Sequence, residues 1–108
     1  MMMNIESLWG PDTSYDGTFD ESNPSRGQCA VTALLLHELY GYDIYDVKVG
    51  QTRHFFNKDG ERVIDLTAAQ FTVPIPYDAG RKRNPKDLYR NKDFISRYMR
   101  LKNKTERN

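Results

Sequence analysis

A single cysteine and only two histidines, His37 and His54, occur among the 108 residues. One cysteine excludes an internal disulfide, and a reducing cytoplasm is the expected compartment. No apolar run approaches the roughly 18 residues that a membrane span requires. The opening Met1-Met2-Met3-Asn4-Ile5-Glu6 has neither the basic region nor the apolar stretch of a secretory leader. Gly10, Gly17 and Gly27 do not fit a phosphate-binding loop. Cys29, His37 and His54 lack close ligand spacing and the acidic residues are scattered, so no metal or other cofactor is expected. Repeats and low-complexity segments are absent as well.

What remains is a chain suited to one soluble globular domain over residues 1–108, with 38% hydrophobic and 29% charged residues. Seven Tyr and five Phe offer large side chains for burial in a small core. The net charge of +1 conceals a split: residues 1–80 hold five Lys/Arg and twelve Asp/Glu, residues 81–108 eleven and three. Two explanations stand side by side. A basic C-terminal helix covers an acidic body, or Arg81, Lys82, Arg83, Lys86 and Arg90 form an anion-binding surface for a nucleotide-like ligand. The overall balance argues against strong nucleic-acid binding.

Residues 2–9 read as a short helix stopped by Gly10-Pro11, and residues 10–27 as a long, turn-rich loop. From about Gln28 to Tyr40 the chain is apolar nearly all round, the mark of a buried helix, and Gly41 is its stop. Ile44, Val47 and Val49 suggest a strand. Two more short strands, Arg53 to Asn57 and Glu61 to Leu66, flank Lys58-Asp59-Gly60. A two-residue Asp59-Gly60 turn would place Lys58 opposite Glu61 and His54 opposite Asp65. Thr67-Ala68-Ala69-Gln70 has the form of a capping box at the start of a short helix. Pro74 and Pro76 keep residues 73–77 extended. Asn84-Pro85 reads as a helix start, and Phe94, Ile95, Tyr98 and Leu101 form a stripe at helical spacing. Residues 103–108 are polar and expected to fray.

The candidate chemistry centres on Cys29. At the start of the buried helix it meets unpaired backbone N–H groups and the positive end of the helix dipole. Both favour a thiolate, and the N–H groups suit the oxyanion of an acyl-transfer intermediate. A buried structural cysteine is the competing explanation. His37 lies eight residues along the same helix, about 12 Å along the axis and turned away, so it cannot serve Cys29 directly. His54 is better placed, because directly opposed strand residues share a face. Asp65 there accepts from one imidazole nitrogen and leaves the other for a thiol. An ordinary cross-strand His–Asp pair is the alternative, and a register slip of one would spoil the geometry.

A cysteine-started helix followed by a hairpin with His and then Asp resembles the papain-like and transglutaminase-like superfamily. More closely, local strings resemble the YunG-like family of small bacterial and phage proteins. They are Thr13-Ser14-Tyr15, Asn23-Pro24-Ser25, the run Gly27-Gln28-Cys29-Ala30-Val31-Thr32-Ala33-Leu34, His54 with Asn57 and Gly60, Asp65-Leu66-Thr67 with Gln70-Phe71, and Arg97-Tyr98 with Leu101. Phe19 and Phe55-Phe56 depart from the pattern while keeping aromatic character. The resemblance implies an α+β fold, with a buried Cys-bearing helix packed on a small antiparallel sheet and a C-terminal helix. It implies a catalytic set of Cys29, His54 and Asp65. Gln28 is a candidate oxyanion donor or equally a helix-start residue, and Thr13, Ser14 and Tyr15 lie over the site or serve only to form turns.

The expected function is a cysteine hydrolase or acyltransferase acting on an amide, peptide or isopeptide bond. The alternative is a non-catalytic binding domain on the same scaffold, taking a nucleotide-like anion or docking to a host or partner protein. Fold likeness alone does not choose between them.

Overall fold

Gly27 adopts a left-handed φ of 79°, and its carbonyl accepts the Tyr15 N–H at 2.9 Å. A Cβ there would lie 2.4 Å from Thr18 Oγ1, so this tight return of the loop requires glycine. Two residues later begins the first long helix, α1 (Cys29–Tyr40), which ends at a left-handed Gly41. The structure, a computed structural model, describes residues 4–106. Met2 and Met3, which the sequence reading included in a helix, lie outside that span; Ile5–Leu8 forms one 3-10 turn.

The class is α+β. Four strands, β1 (Asp43–Val49), β2 (Thr52–Asp59), β3 (Arg62–Ile64) and β4 (Arg81–Arg83), form an antiparallel sheet in the order β3-β2-β1-β4. α1 packs on the sheet and on α3 (Lys92–Glu106), with the short α2 (Pro85–Leu88) between β4 and α3. Val31 to Leu36 are buried, and they share a core with Ile5, Trp9, Ile44, Leu88, Phe94, Tyr98 and Leu101. The last turn of α1 emerges from this core, leaving Leu39 and Tyr40 exposed. Asn57 pins sheet to helix: its amide donates to Ala33 O at 3.0 Å and Asp43 O at 3.3 Å. The opposite face of the sheet buries Val47, Val49 and Phe56 beneath Phe71, Ile75 and Tyr77.

The hairpin register differs from the sequence reading. Asp59 pairs with Arg62 and Lys58 with Val63, so the loop is Gly60-Glu61, not Asp59-Gly60. Gly60 has a φ of 63°, which suits the first loop position of a type II′ turn, where only glycine is at ease. Arg81–Arg83, a run of cations without strand-like alternation, adds a fourth strand.

The C-terminal helical region is split. Asn84 caps α2 through the Lys86 N–H, and Asn91 accepts the Phe94 N–H at 3.0 Å to start α3. α3 continues to Glu106, into the stretch expected to fray. Lys104 holds it there by donating to Leu8 O at 3.0 Å and Asp12 Oδ1 at 2.8 Å. Lys102 reaches Glu38 at 3.3 Å, and the Tyr89 and Tyr98 hydroxyls donate to the same carboxylate. The basic tail thus lies against the acidic body.

Candidate active site

Cys29 is the first residue of α1 and half-buried. His54 sits on β2 with its side chain fully enclosed. β3 pairs with β2 only at Asn57–Asp59, which leaves the outer edge of β2 at His54 without a strand partner from β3. The chain leaving β3 supplies Asp65 there. His54 Nε2 lies 2.7 Å from Asp65 Oδ2. The pair therefore forms, although Asp65 follows β3 and is not opposed to His54 in a ladder. With the loop displaced along the hairpin, Asp65 sits one diagonal step from the expected position on the same face, within side-chain reach.

Asp65 is itself held from all sides. Oδ1 accepts the Thr67 N–H and the Thr67 hydroxyl, both at 3.2 Å, and Oδ2 also accepts the Tyr77 hydroxyl at 2.8 Å. Burial, then the hydrogen bond and the charge of Asp65, raise Tyr77 well above the usual phenol range, so it stays a donor. The Thr67 hydroxyl is spent on Asp65, so the Thr67–Gln70 segment forms a single 3-10 turn, Ala68–Gln70, without the side-chain cap of a capping box. Gln70 Nε2 donates to Thr67 O at 3.1 Å and lies 3.5 Å from His54 Nδ1. The Phe71 ring meets the imidazole edge-on with centroids 4.9 Å apart.

Burial by itself would push His54 down. The hydrogen bond and charge of Asp65, together with the hydrogen-bonding and coulombic interaction with Cys29, overcome this and raise it from 6.5 to about 9. At neutral pH the ring is an imidazolium. With Nε2 committed to Asp65, Nδ1 is the nitrogen left for chemistry.

Cys29 opens onto a groove of about 470 Å³ whose walls include Tyr15, Phe55, Gln70, Arg53 and Arg97. Of the residues implied to line the site, only Tyr15 does so. Thr13 and Ser14 are buried: the Thr13 hydroxyl donates to Gln28 Oε1 at 2.8 Å, and the Ser14 hydroxyl to Pro11 O at 3.1 Å. Gln28 is wholly enclosed and donates to Gly10 O at 3.2 Å, so its amide braces the loop beneath the helix start. Its place beside Cys29 reflects that bracing. Gln70, in contrast, lines the groove. Thr67 and Gln70 belong to the family-like strings, whereas nothing local in the sequence singles out Tyr77. His37 faces away, with Nδ1 2.8 Å from Tyr42 O.

The candidate anion-binding residues divide. Arg81, Lys82 and Arg83 line one hollow with Arg53. Lys86 and Arg90 lie outside it, and Arg90 sits 3.9 Å from Asp87. Among the described residues no group of His, Cys, Asp and Glu is arranged to hold a metal ion, and no helix is long and apolar enough to cross a membrane.

Comparison with known proteins agrees with the local strings. The family described as YunG protein matches residues 1–108. The "Uncharacterized protein YunG" of Bacillus subtilis (strain 168) is 37% identical over 73 residues, which is 68% of this chain. The matched region spans 62% of that relative's length. No solved structure matches the chain. By the family match over its whole length and by this identity, the chain belongs to the YunG family.

Proposed function

We propose that the protein is a cysteine-nucleophile hydrolase or acyltransferase acting on an amide, peptide or isopeptide bond, with a papain-like or transglutaminase-like core. The observation that carries this reading is the chain of contacts from Cys29 through His54 to Asp65 at the mouth of a groove. A His–Asp pair that served packing alone has no need of a thiol at a helix N-terminus beside it.

In this mechanism the Cys29 thiolate attacks the substrate carbonyl carbon, and the carbonyl electron pair moves to oxygen. The free N–H groups of the first turn of α1 receive that oxyanion. The C–N bond then breaks as Nδ1–H of His54 passes its proton to the leaving amine, and a thioester on Cys29 remains. Water, or an acceptor amine in the transferase case, attacks the thioester as His54 takes its proton. Cys29 leaves as thiolate, and the imidazolium is restored. Asp65 fixes the ring and stabilises its positive charge.

The test is thiol reactivity joined to acyl trapping. Cys29 alkylates quickly with iodoacetamide near neutral pH, and His54→Ala slows this markedly. An activated ester leaves an acyl adduct on Cys29, visible by intact mass and absent in Cys29→Ser. A Cys29 that is inert in the folded protein overturns the proposal.

A further inference from the structure

Arg53 belongs to two concavities at once. It forms part of the wall of the Cys29 groove, and it also lines a hollow of about 540 Å³ whose other lining residues are Arg81, Lys82 and Arg83. Among the described residues four cationic residues and no acidic one line that hollow; Lys82 lies between Arg81 and Arg83 on β4, with its ammonium turned to Asp43. The acid that organises it, Asp46, lies beneath with its side chain fully enclosed. Arg53 Nη1 donates to Asp46 Oδ2 at 3.0 Å, and Arg83 donates to the same oxygen. Arg81 stands farther off, its Nε 3.7 Å from Oδ1, and Oδ1 accepts no hydrogen bond.

Arg53 and Arg83 both bond Oδ2, whereas Arg81 stays beyond hydrogen-bond distance of Oδ1, so its guanidinium is not committed to Asp46. Arg81 and Lys82 are largely exposed, with side chains 69% and 64% accessible. The Lys82–Asp43 contact, 3.5 Å at the surface, is the kind of pair that contributes little. Guanidinium forks held in place by a buried acid are preorganised for external carboxylates. The groove continues the same character, since Arg53 and Arg97 line it and no acidic side chain does. A nucleotide fits less well, because the hollow offers no aromatic or apolar side chain to receive a base.

We propose that this hollow is a specificity subsite, which seats the acidic side chains flanking the bond that Cys29 attacks. The substrate class is then a peptide or protein segment rich in Glu or Asp beside its reactive carbonyl. The inference rests on the reading of Cys29 as a nucleophile, but the subsite can be tested apart from it.

Two iodoacetyl-capped peptides of equal length, one tri-glutamate and one tri-lysine, serve as labelling reagents for the full chain, with iodoacetamide as the uncharged reference. At low salt the tri-glutamate reagent labels Cys29 at least about tenfold faster than the tri-lysine reagent. The preference collapses near 1 M salt, where the screening length is about 3 Å. Arg81→Gln with Lys82→Gln abolishes the preference and leaves the iodoacetamide rate unchanged. Arg53 and Arg83 stay on Asp46 in that variant, and an unchanged melting temperature verifies its fold. Equal labelling by the two peptides, or a preference that survives the double substitution, overturns the proposal. Fluorescence anisotropy with an unreactive tri-glutamate peptide reads the subsite without Cys29. Binding that the double variant loses supports the subsite even if Cys29 proves inert to iodoacetamide, and absence of binding overturns it. Displacement of that peptide by an equal concentration of nucleotide reassigns the hollow to phosphate and likewise overturns it.

Discussion

Asp65→Asn changes one atom and isolates the electrostatics of the site. The amide oxygen can still accept from the Thr67 N–H and hydroxyl, which meet Oδ1 at 3.2 Å in the native protein. The amide nitrogen then occupies the Oδ2 position, facing His54 Nε2 and the Tyr77 hydroxyl. Tyr77 can rotate its hydroxyl to accept. Nε2 can accept only if it carries no proton, so the substitution selects the neutral ring protonated on Nδ1 and removes the charge that favoured imidazolium. The rise of His54 from 6.5 to about 9 corresponds to roughly 3 kcal/mol of preference for the charged ring. Without the carboxylate, burial pulls the other way. The expected result is a fall in the His54 midpoint of about two to three units, to between about 6 and 7. With two histidines in the chain, ring-proton NMR resolves both, and His37 is the internal reference. Iodoacetamide labelling of Cys29 at pH 6.5 should fall on the order of tenfold in parallel. An ordinary thiol is only about 1% thiolate at that pH, and a stabilised thiolate gives back part of its advantage in lower nucleophilicity. If native His54 titrates near 6.5, or if the Asn variant still titrates near 9, the electrostatic reasoning fails.

Glu38 supplies a pH dependence of stability. Burial raises it, but hydrogen bonds from Tyr98, Lys102 and Tyr89 outweigh this and hold the carboxyl below its ordinary value of 4.5. A folded-state value that is depressed gives stability that is present above about 4.5 and lost as pH falls through the folded value. Thermal melts should therefore drop below pH 4.5, and more weakly in Glu38→Gln; equal slopes would remove Glu38 from the account. Asn57→Ala deletes the buried bond from sheet to helix at Ala33 O and the bond to Asp43 O within the sheet, and should cost about 1–3 kcal/mol, read from urea unfolding. Gln28→Ala removes two buried bonds, from the Thr13 hydroxyl to Oε1 and from the amide to Gly10 O, while Thr13 and Gly10 keep their direct bond at 3.1 Å. It should also cost about 1–3 kcal/mol, and a variant as stable as the native chain would show that the amide does not brace the loop.

The sequence carried the long-period features well. α1 begins and ends within a residue of the expected span, because eight apolar residues in thirteen and a terminal Gly41 leave few other solutions. β4 was hidden, because Arg81-Lys82-Arg83 has no alternation of apolar and polar residues to announce a strand. What makes it one is Asp46 across the ladder: Arg81 is the register partner of Asp46, and Arg83 bonds the same carboxylate. That is a tertiary charge interaction, invisible to any local pattern. The same holds for the end of α3, where Lys104 finds its anchors about ninety residues back in the chain.

The His54–Asp65 contact was legible for a reason stronger than the register from which it was first read. Shifting the loop from Asp59-Gly60 to Gly60-Glu61 moves each residue on the returning chain by two positions relative to β2. Side chains alternate with a period of two, so an even shift preserves the face that each residue presents. His54 and Asp65 therefore stay on one side of the sheet, and the absence of β3 pairing before Asn57 lets Asp65 swing back to Nε2. A shift of one would have separated them. What parity could not supply is the clamp that keeps Asp65 there. Thr67 lies next along the chain, but Tyr77 arrives only because residues 71–77 fold across the face that His54 and Phe56 share. The acid's position is thus fixed by a segment whose local sequence says only that it is extended. Substituting Tyr77 by Phe should accordingly loosen the histidine without unfolding the sheet.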